Sequence, residues 1–389
     1  MPPPRIWINA CEPSGDMHAA ILAKALRSMH PGVRLSGMGG SAMEEQQVDL
    51  KLRMEGLSVM GISEVFAYLP RVLGMWRTIR KQLADAKPDA IVLVDSPDFH
   101  FRVAKMASKL QIPVFYYISP QVWAWRRGRI NFLRRHVRRV LCILPFEEQF
   151  HRSHGLEAEY VGHPLLEQLL RPEILDVSPE TNRIGILPGS RKSEIERMMP
   201  VFAQTAARLL QLDPALEFCV FKAPGVNEDQ IRVHCPPQLP LRFIDHPRRY
   251  EQMRSCALIL ATSGTVTLES ALLQVPTIVG YKFSRLSFLV GVRLVKVPAV
   301  SLANLILRRN VLPEFIQNQA NADNLTTQAW QWLSHPEEMR RVRRELSRLP
   351  GMLTTQSTCP RDTACGPADR SAAIILGDLG CRFQQGDRT

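Results

Sequence analysis

The pattern that most restricts this chain is an alternation of short apolar runs with helical periodicity, and it occurs twice. In the first half the runs "RIWINA", "AIVLVD", "PVFYYIS", "RVLCILP" and "EYVG" are separated by helical patterns at 18–29, 64–85, 101–111 and 128–137. From about residue 183 the alternation starts afresh with "RIGILP", "LEFCVFKA", "LRFID", "ALILAT" and "PTIVGYK". Repeated strand–helix units of this kind build parallel sheets with helices on both faces. Two successive sets predict an α/β protein of two Rossmann-like domains, and 389 residues are too many for one ordinary core. The expected division is 1–170 and 171–340, with 341–389 as a helical tail packing back on the first domain. The linker-like stretch "LLRPEILDVSPETN" marks the junction.

The opening "MPPPRIWINA" has no basic segment followed by a long apolar stretch, so no signal peptide is expected. The most apolar later region is interrupted by Arg293 and Lys296 and falls short of the roughly 20 apolar residues a spanning helix needs. The 8 cysteines are scattered, without a CxxC pair or zinc spacing, and read as reduced thiols rather than metal ligands. A formal net charge of +12 asks for an anionic partner. The excess gathers in "RRGRINFLRRHVRR" and "MRRVRRELSR", basic stretches suited to a membrane surface or an acidic ligand. No aromatic residues are interleaved as a base-stacking surface would require, so nucleic acid is the weaker reading.

Five unusual motifs, "CEPSGD", "DSPDF", "SPQVWAW", "PGSR" and "TSGTVTLE", fall where strands end, the edge at which open α/β sheets bind ligands. In "ILPGSRKSEIERMMP" a strand stops at Pro188 and a helix follows, expected to begin near Glu194 with Ser193 and Glu196 as its capping box. Gly189, Ser190 and Arg191 then lie beside unpaired N–H groups and the positive helix end, where an anion can be held. "TSGTVTLE" offers a second such cradle at Ser263, Gly264 and Thr265, with Glu269 one turn on, suited to ribose hydroxyls. Together the two suggest a diphosphate site. In the first half "CEPSGD" supplies Glu12, Ser14 and Asp16, and "VDSPDF" supplies Asp95 and Asp98. Asp98 is also a candidate helix cap, whereas Asp95 ends a strand with no structural duty in view. That is the type and place for a general base. Taken alone, each motif is also what an ordinary strand–helix turn needs.

In order and spacing, "CEPSGD", "GLSVMGISEVF", "DSPDFHF", "YISPQVWAWR", "LPFE", "YVGHP", "LPGSRKSEI", "SGTVTLE", "LVKVPAVSLANLI" and "PEFIQ" resemble the lipid-A-disaccharide synthase family. The resemblance runs from about residue 5 to about 348. It implies a GT-B fold, two Rossmann-like domains facing across a cleft, and an inverting glycosyltransferase. The implied donor is UDP-2,3-diacylglucosamine and the implied acceptor 2,3-diacylglucosamine 1-phosphate, joined β(1-6) with release of UDP. It also implies work at the cytoplasmic face of the inner membrane, on an anionic surface, without metal or cofactor; a homodimer is a further expectation. The family's essential carboxylate falls on Asp95 and its essential arginine on Arg191. Its nucleotide positions fall on Ser190, Ser263, Gly264, Thr265 and Glu269, and its asparagine after "SL" on Asn304. Glu12, Asp16 and Asp98 remain alternative bases. The chain departs from the family at Cys11 (usually Gly or Ala), His100 (usually Asn) and Ala303 (usually Pro). The alternatives to this reading are another UDP-sugar enzyme of the same fold, such as an epimerase or soluble-acceptor transferase, and a non-catalytic degenerate transferase. A helical stripe at 63–83, with Pro70 expected to kink or interrupt it, leaves Phe66, Pro70, Leu73 and Met75 as an apolar rim for bilayer docking.

Overall fold

The computed structural model describes residues 2–54, 65–123, 128–245, 248–283, 299–355 and 365–381, with side chains from residue 71 onward in the helix Val65–Ala86. The chain forms two compact units, Met1–Pro164 with Thr355–Thr389, and Leu165–Thr354. The junction lies at 164/165 rather than 170/171. The short helices Leu165–Leu169 and Pro172–Leu175 bury Leu165, Leu169 and Ile174, which places these residues in the second unit. Residues 341–354 also belong to the second unit, and only the stretch from Thr355 returns to the first.

The first unit holds a seven-stranded parallel sheet of β1 (Arg5–Asn9), β2 (Arg34–Gly39), β3 (Asp49–Arg53), β4 (Ala90–Val94), β5 (Val114–Tyr117), β6 (Arg139–Cys142) and β7 (Ala158–Tyr160). Their order is β3-β2-β1-β4-β5-β6-β7. Alternation along β4 divides its side chains between two cores. Val92 and Val94 join Ala19, Leu22 and Leu26 of the helix Pro13–Met29, while Ile91 and Leu93 join Ile79, Leu83, Val103 and Ala107 on the opposite face. The helix Val65–Ala86 continues through Pro70, which does not interrupt it. The proline falls in its second turn. Leu73 and Met75 are half-buried there, and the side chains of Phe66 and Pro70 lie outside the described residues. Among the described residues no helix is long and apolar enough to cross a membrane.

The second unit holds β8 (Glu180–Leu187), β9 (Glu217–Phe221), β10 (Leu241–Ile244), β11 (Cys256–Thr262), β12 (Thr277–Tyr281) and β13 (Glu314–Ile316), again all parallel, in the order β10-β9-β8-β11-β12-β13. Its main core lies between the sheet and the helices Lys192–Leu212 and Ala322–Ser334, through Phe202, Leu209, Leu325 and Trp332. Six described cysteines are free thiols, whereas Cys365 is disulfide-bonded, a departure from the expectation of reduced thiols throughout.

The helix Pro367–Asp378 packs on Pro13–Met29 and contributes Ala372, Ile375 and Leu376 to the first unit's core. Ile375 is fully buried. Its replacement by Ala should therefore destabilise the first unit by about 2–4 kcal/mol, as for other buried aliphatic truncations. Urea unfolding followed by circular dichroism checks this; an unchanged midpoint would mean the helix is not part of that core.

Candidate active site

Both sheets reverse their strand order at one place, and the motifs gather there. In the first unit the reversal lies between β1 and β4, so "CEPSGD" and "DSPDF" leave neighbouring strand ends on opposite courses. In the second it lies between β8 and β11, which puts "PGSR" beside "TSGT". Such switch points open a crevice above the strand ends.

Asp95 is half-buried at the end of β4. Its N–H completes the ladder to the Tyr117 carbonyl at 3.1 Å. Asp95 and Ser96 both take left-handed backbone, with φ of +54° and +44°, an uncommon choice for non-glycine residues. The Asp95 carbonyl turns away from the ladder and accepts from Tyr116 Oη–H and His100 Nδ1–H, each at 2.7 Å. Burial, with the Glu12 carboxylate adding to it, pushes the Asp95 carboxyl up from the ordinary 3.8 to about 6; a backbone N–H bond at Ser96 opposes the shift. Glu12 and Ser14 are exposed at the start of the helix Pro13–Met29.

Two alternative bases are already committed. Asp16 is buried and accepts from the N–H groups of Gly40, Ala42 and Met43 at 2.7, 2.9 and 3.4 Å, satisfying the start of the helix Ser41–Glu45. That duty corrects its candidacy as a base. Asp98 stands in the first turn of the helix Pro97–Lys109, with Ser96 rather than Asp98 at its N-cap, and pairs with Arg129.

In the second unit Gly189 has φ +113°, a conformation L side chains rarely adopt, and a Cβ there would lie 2.7 Å from that of Glu194. The helix begins at Lys192 with Arg191 at its N-cap, two residues earlier than Ser193 and Glu196 suggested. Glu194 makes the cap, its Oε2 accepting from the N–H groups of Ser190 at 3.1 Å and Arg191 at 3.3 Å. A carboxylate of this chain thus occupies the N–H groups expected to receive an anion. The Arg191 guanidinium is largely exposed and lies 3.5 Å from Glu194. Thr262 Oγ1–H donates to the Pro188 carbonyl at 2.8 Å and ties the two loops together.

Ser263 Oγ–H donates to the Val300 carbonyl at 3.0 Å, while Gly264 and Thr265 are exposed at the start of the short helix Val266–Leu272. Glu269 is paired with Arg249 at 3.2 Å, and only 14% of either side chain is exposed. Burial raises its carboxyl and the arginine works against that rise. Asn304 is corrected as a direct ligand. It is buried, donates to the Leu312 carbonyl and Glu314, and accepts from the N–H groups of Val311 and Leu312. Its amide is saturated within its own loop. Ala303 is likewise buried.

Sequence reasoning missed Arg249 and the capping duty of Glu194. The Glu194 duty was legible as a carboxylate three residues after Arg191; nothing local announces Arg249. Among the described residues, no group of three or more His, Cys, Asp or Glu is placed to hold a metal.

The sequence profile described as Lipid-A-disaccharide synthetase matches residues 6–363. The Lipid-A-disaccharide synthase of Myxococcus xanthus (strain DK1622) is 39% identical over 347 residues, covering 87% of this chain and 88% of the relative. Among solved structures, the MnaA–UDP complex of S. aureus has a TM-score of 0.66 at 11% identity, over 99% of this chain and 100% of that one. The Methanocaldococcus jannaschii UDP-GlcNAc 2-epimerase with UDP-GlcNAc and UDP has a TM-score of 0.57 at 13% identity, over 96% and 99%. At those identities the likeness concerns the fold, which is GT-B.

Because Glu194 fills the cradle, Glu194→Gln should tighten inorganic pyrophosphate binding several-fold by removing a competing charge. The weaker cap should cost about 0.5–1 kcal/mol of stability. Titration calorimetry and thermal unfolding measure the two effects. Unchanged pyrophosphate affinity would make Glu194 a cap alone.

Proposed function

The chain belongs to the lipid-A-disaccharide synthase family, enzymes that transfer a glycosyl group to make the lipid A disaccharide, and we propose that it does so from UDP-2,3-diacylglucosamine to 2,3-diacylglucosamine 1-phosphate. The observation that carries this reading is Asp95, a half-buried carboxyl at the first unit's switch point, held at about 6. A carboxyl with that value is ionised at neutral pH yet basic enough to accept a hydroxyl proton as a bond forms.

In the reaction the acceptor's 6-hydroxyl oxygen attacks the anomeric carbon of the donor from the face opposite UDP. The C–O bond forms, the bond to the β-phosphate breaks, Asp95 takes the hydroxyl proton, and UDP leaves with the bonding electron pair. Attack from the far face inverts the centre, and the sugar passes through an oxocarbenium-like state. Charge then accumulates on the departing diphosphate. Arg191, whose guanidinium is largely exposed, is the side chain to meet it, together with the N–H groups of the two loops. Glu194 must yield those N–H groups when the anion arrives. No metal is needed in this scheme, so turnover should continue in excess EDTA.

The substrates carry acyl chains, and we infer that the protein works on the anionic inner-membrane surface from the cytoplasmic side. The exposed arginines of Arg129–His136 and Pro336–Leu346 support that reading. Binding to anionic vesicles should accordingly be strong at low salt and fall as salt rises; no binding at low salt would remove the membrane from the proposal.

Incubation with both lipid substrates, watching UDP release and disaccharide formation, tests the activity itself. Asp95→Asn should lower turnover by roughly 100-fold or more while UDP still binds, and Arg191→Ala should lower turnover more than UDP affinity. In the parent, turnover should rise with pH through about 6 and then level. Stability should move the other way. The folded-state value lies above the ordinary one, so the stability from holding the proton is full below about pH 4 and is lost as pH rises through 6. Asp95→Asn should thus melt higher than the parent at pH 8 and lose that advantage near pH 4. Near-parent turnover in Asp95→Asn would remove it from the mechanism.

A further inference from the structure

Beneath Asp95 lies a buried polar chain that no role described so far uses. Trp7 Nε1 stands 3.1 Å from Asn9 Oδ1, Asn9 Nδ2 stands 3.0 Å from His100 Nε2, and Cys11 Sγ stands 3.1 Å from the same nitrogen. His100 Nδ1 reaches the Asp95 carbonyl at 2.7 Å, and Tyr116 Oη reaches that same oxygen at 2.7 Å. Asn9, His100 and Tyr116 are wholly buried and Cys11 is nearly so.

The direction of every bond in the chain can be assigned from what each atom is able to do. An indole N–H only donates, so Trp7 identifies the Asn9 atom facing it as oxygen. The other Asn9 atom is then the NH2 group, which donates to His100 Nε2. A carbonyl oxygen only accepts, so the proton of the neutral ring must be on Nδ1, facing Asp95. Burial favours that neutral ring by lowering the imidazole to about 4, and it raises the Cys11 thiol, keeping its S–H. The single lone pair of Nε2 is taken by Asn9, Cys11 Sγ packs against the same nitrogen and lies 3.7 Å from Asn9 Nδ2, and both lone pairs of the Asp95 carbonyl are filled from side chains rather than from a strand.

We propose that His100, together with Tyr116, is a positioning residue that holds Asp95 in its left-handed backbone conformation, and that Asn9 holds the His100 tautomer which does this. The inference rests on reading Asp95 as the base. Left-handed backbone at two successive non-glycine residues persists only where the surroundings over-determine it, and two hydrogen bonds on one carbonyl supply that. Cys11 and His100, far apart in the sequence, meet in this contact.

The test separates the two ring nitrogens. An Asn side chain places its NH2 near the position of His Nδ1, whereas Gln places its amide near Nε2. His100→Asn should keep the bond to Asp95 and hold turnover within about threefold of the parent. His100→Gln and Tyr116→Phe should each lower kcat on the order of 10- to 100-fold, the usual scale for a misplaced reacting group, with KM little changed. In an Asp95→Asn background those losses should vanish, because nothing is left to position; a general folding defect would persist there. Tyr116→Phe, which removes a single oxygen, supplies the answer if His100→Gln does not fold. If Asp95→Asn itself kept turnover, the base assignment would fall whatever His100 does. Loss in Asp95→Asn with parental kcat in both His100→Gln and Tyr116→Phe, or equal loss in His100→Asn and His100→Gln, would overturn the positioning role.

Discussion

Everything that marks these two units as working surfaces follows from one constraint on parallel sheets. Neighbouring parallel strands cannot be joined by a tight turn, so each connection must leave over one face and return beside an earlier strand. Where successive connections depart in opposite directions, two central strands end side by side with nothing to cover their tips. Backbone groups that would pair elsewhere in the sheet are there left to side chains or ligands. In one unit those tips carry carboxylates and in the other an arginine with loop N–H groups.

The two switch points satisfy their backbone groups differently. At β8 and β11 the arrangement is local, with Glu194 and Thr262 bonding backbone only a few residues or one strand away. At β1, β4 and β5 it is deep, reaching through side chains from Trp7 to Asp95, and it coexists with unusual backbone. Ile118, just past β5, has φ +63°, costly for a β-branched residue. Its N–H is tied to the Leu141 carbonyl at 3.2 Å, and Ser119 beside it meets His151 at 2.7 Å. Strain and buried polarity thus gather on the same strand ends, at a cost to stability that the surrounding apolar core must offset.

The central strands were legible because they are apolar on both faces and stand out at any reading. β2, "RLSGMG", carries two glycines, and β3, "DLKLR", is an edge strand that alternates half-buried and exposed residues, so neither shows the buried-strand signature. β13 has only three residues. The positions of Asp95 and Arg191 could be foreseen from strand ends and turn chemistry. The duties of Asp16 and Asn304 could not, because each is settled by backbone N–H groups that only the folded chain brings near. The partner of Glu269 arrives from twenty residues upstream for the same reason. No one-dimensional pattern could reveal that His100 and Cys11 touch.

The return of Pro367–Asp378 to the helix Pro13–Met29 sets the order in which a growing chain can mature on the ribosome. The second unit is contiguous from Leu165 to Thr354, so all of its strands and helices have been synthesised before the first unit receives its last piece. Until Ile375 and Leu376 emerge, the outer apolar stripe of Pro13–Met29 stays uncovered through most of translation. The part of the protein made first is therefore the part finished last.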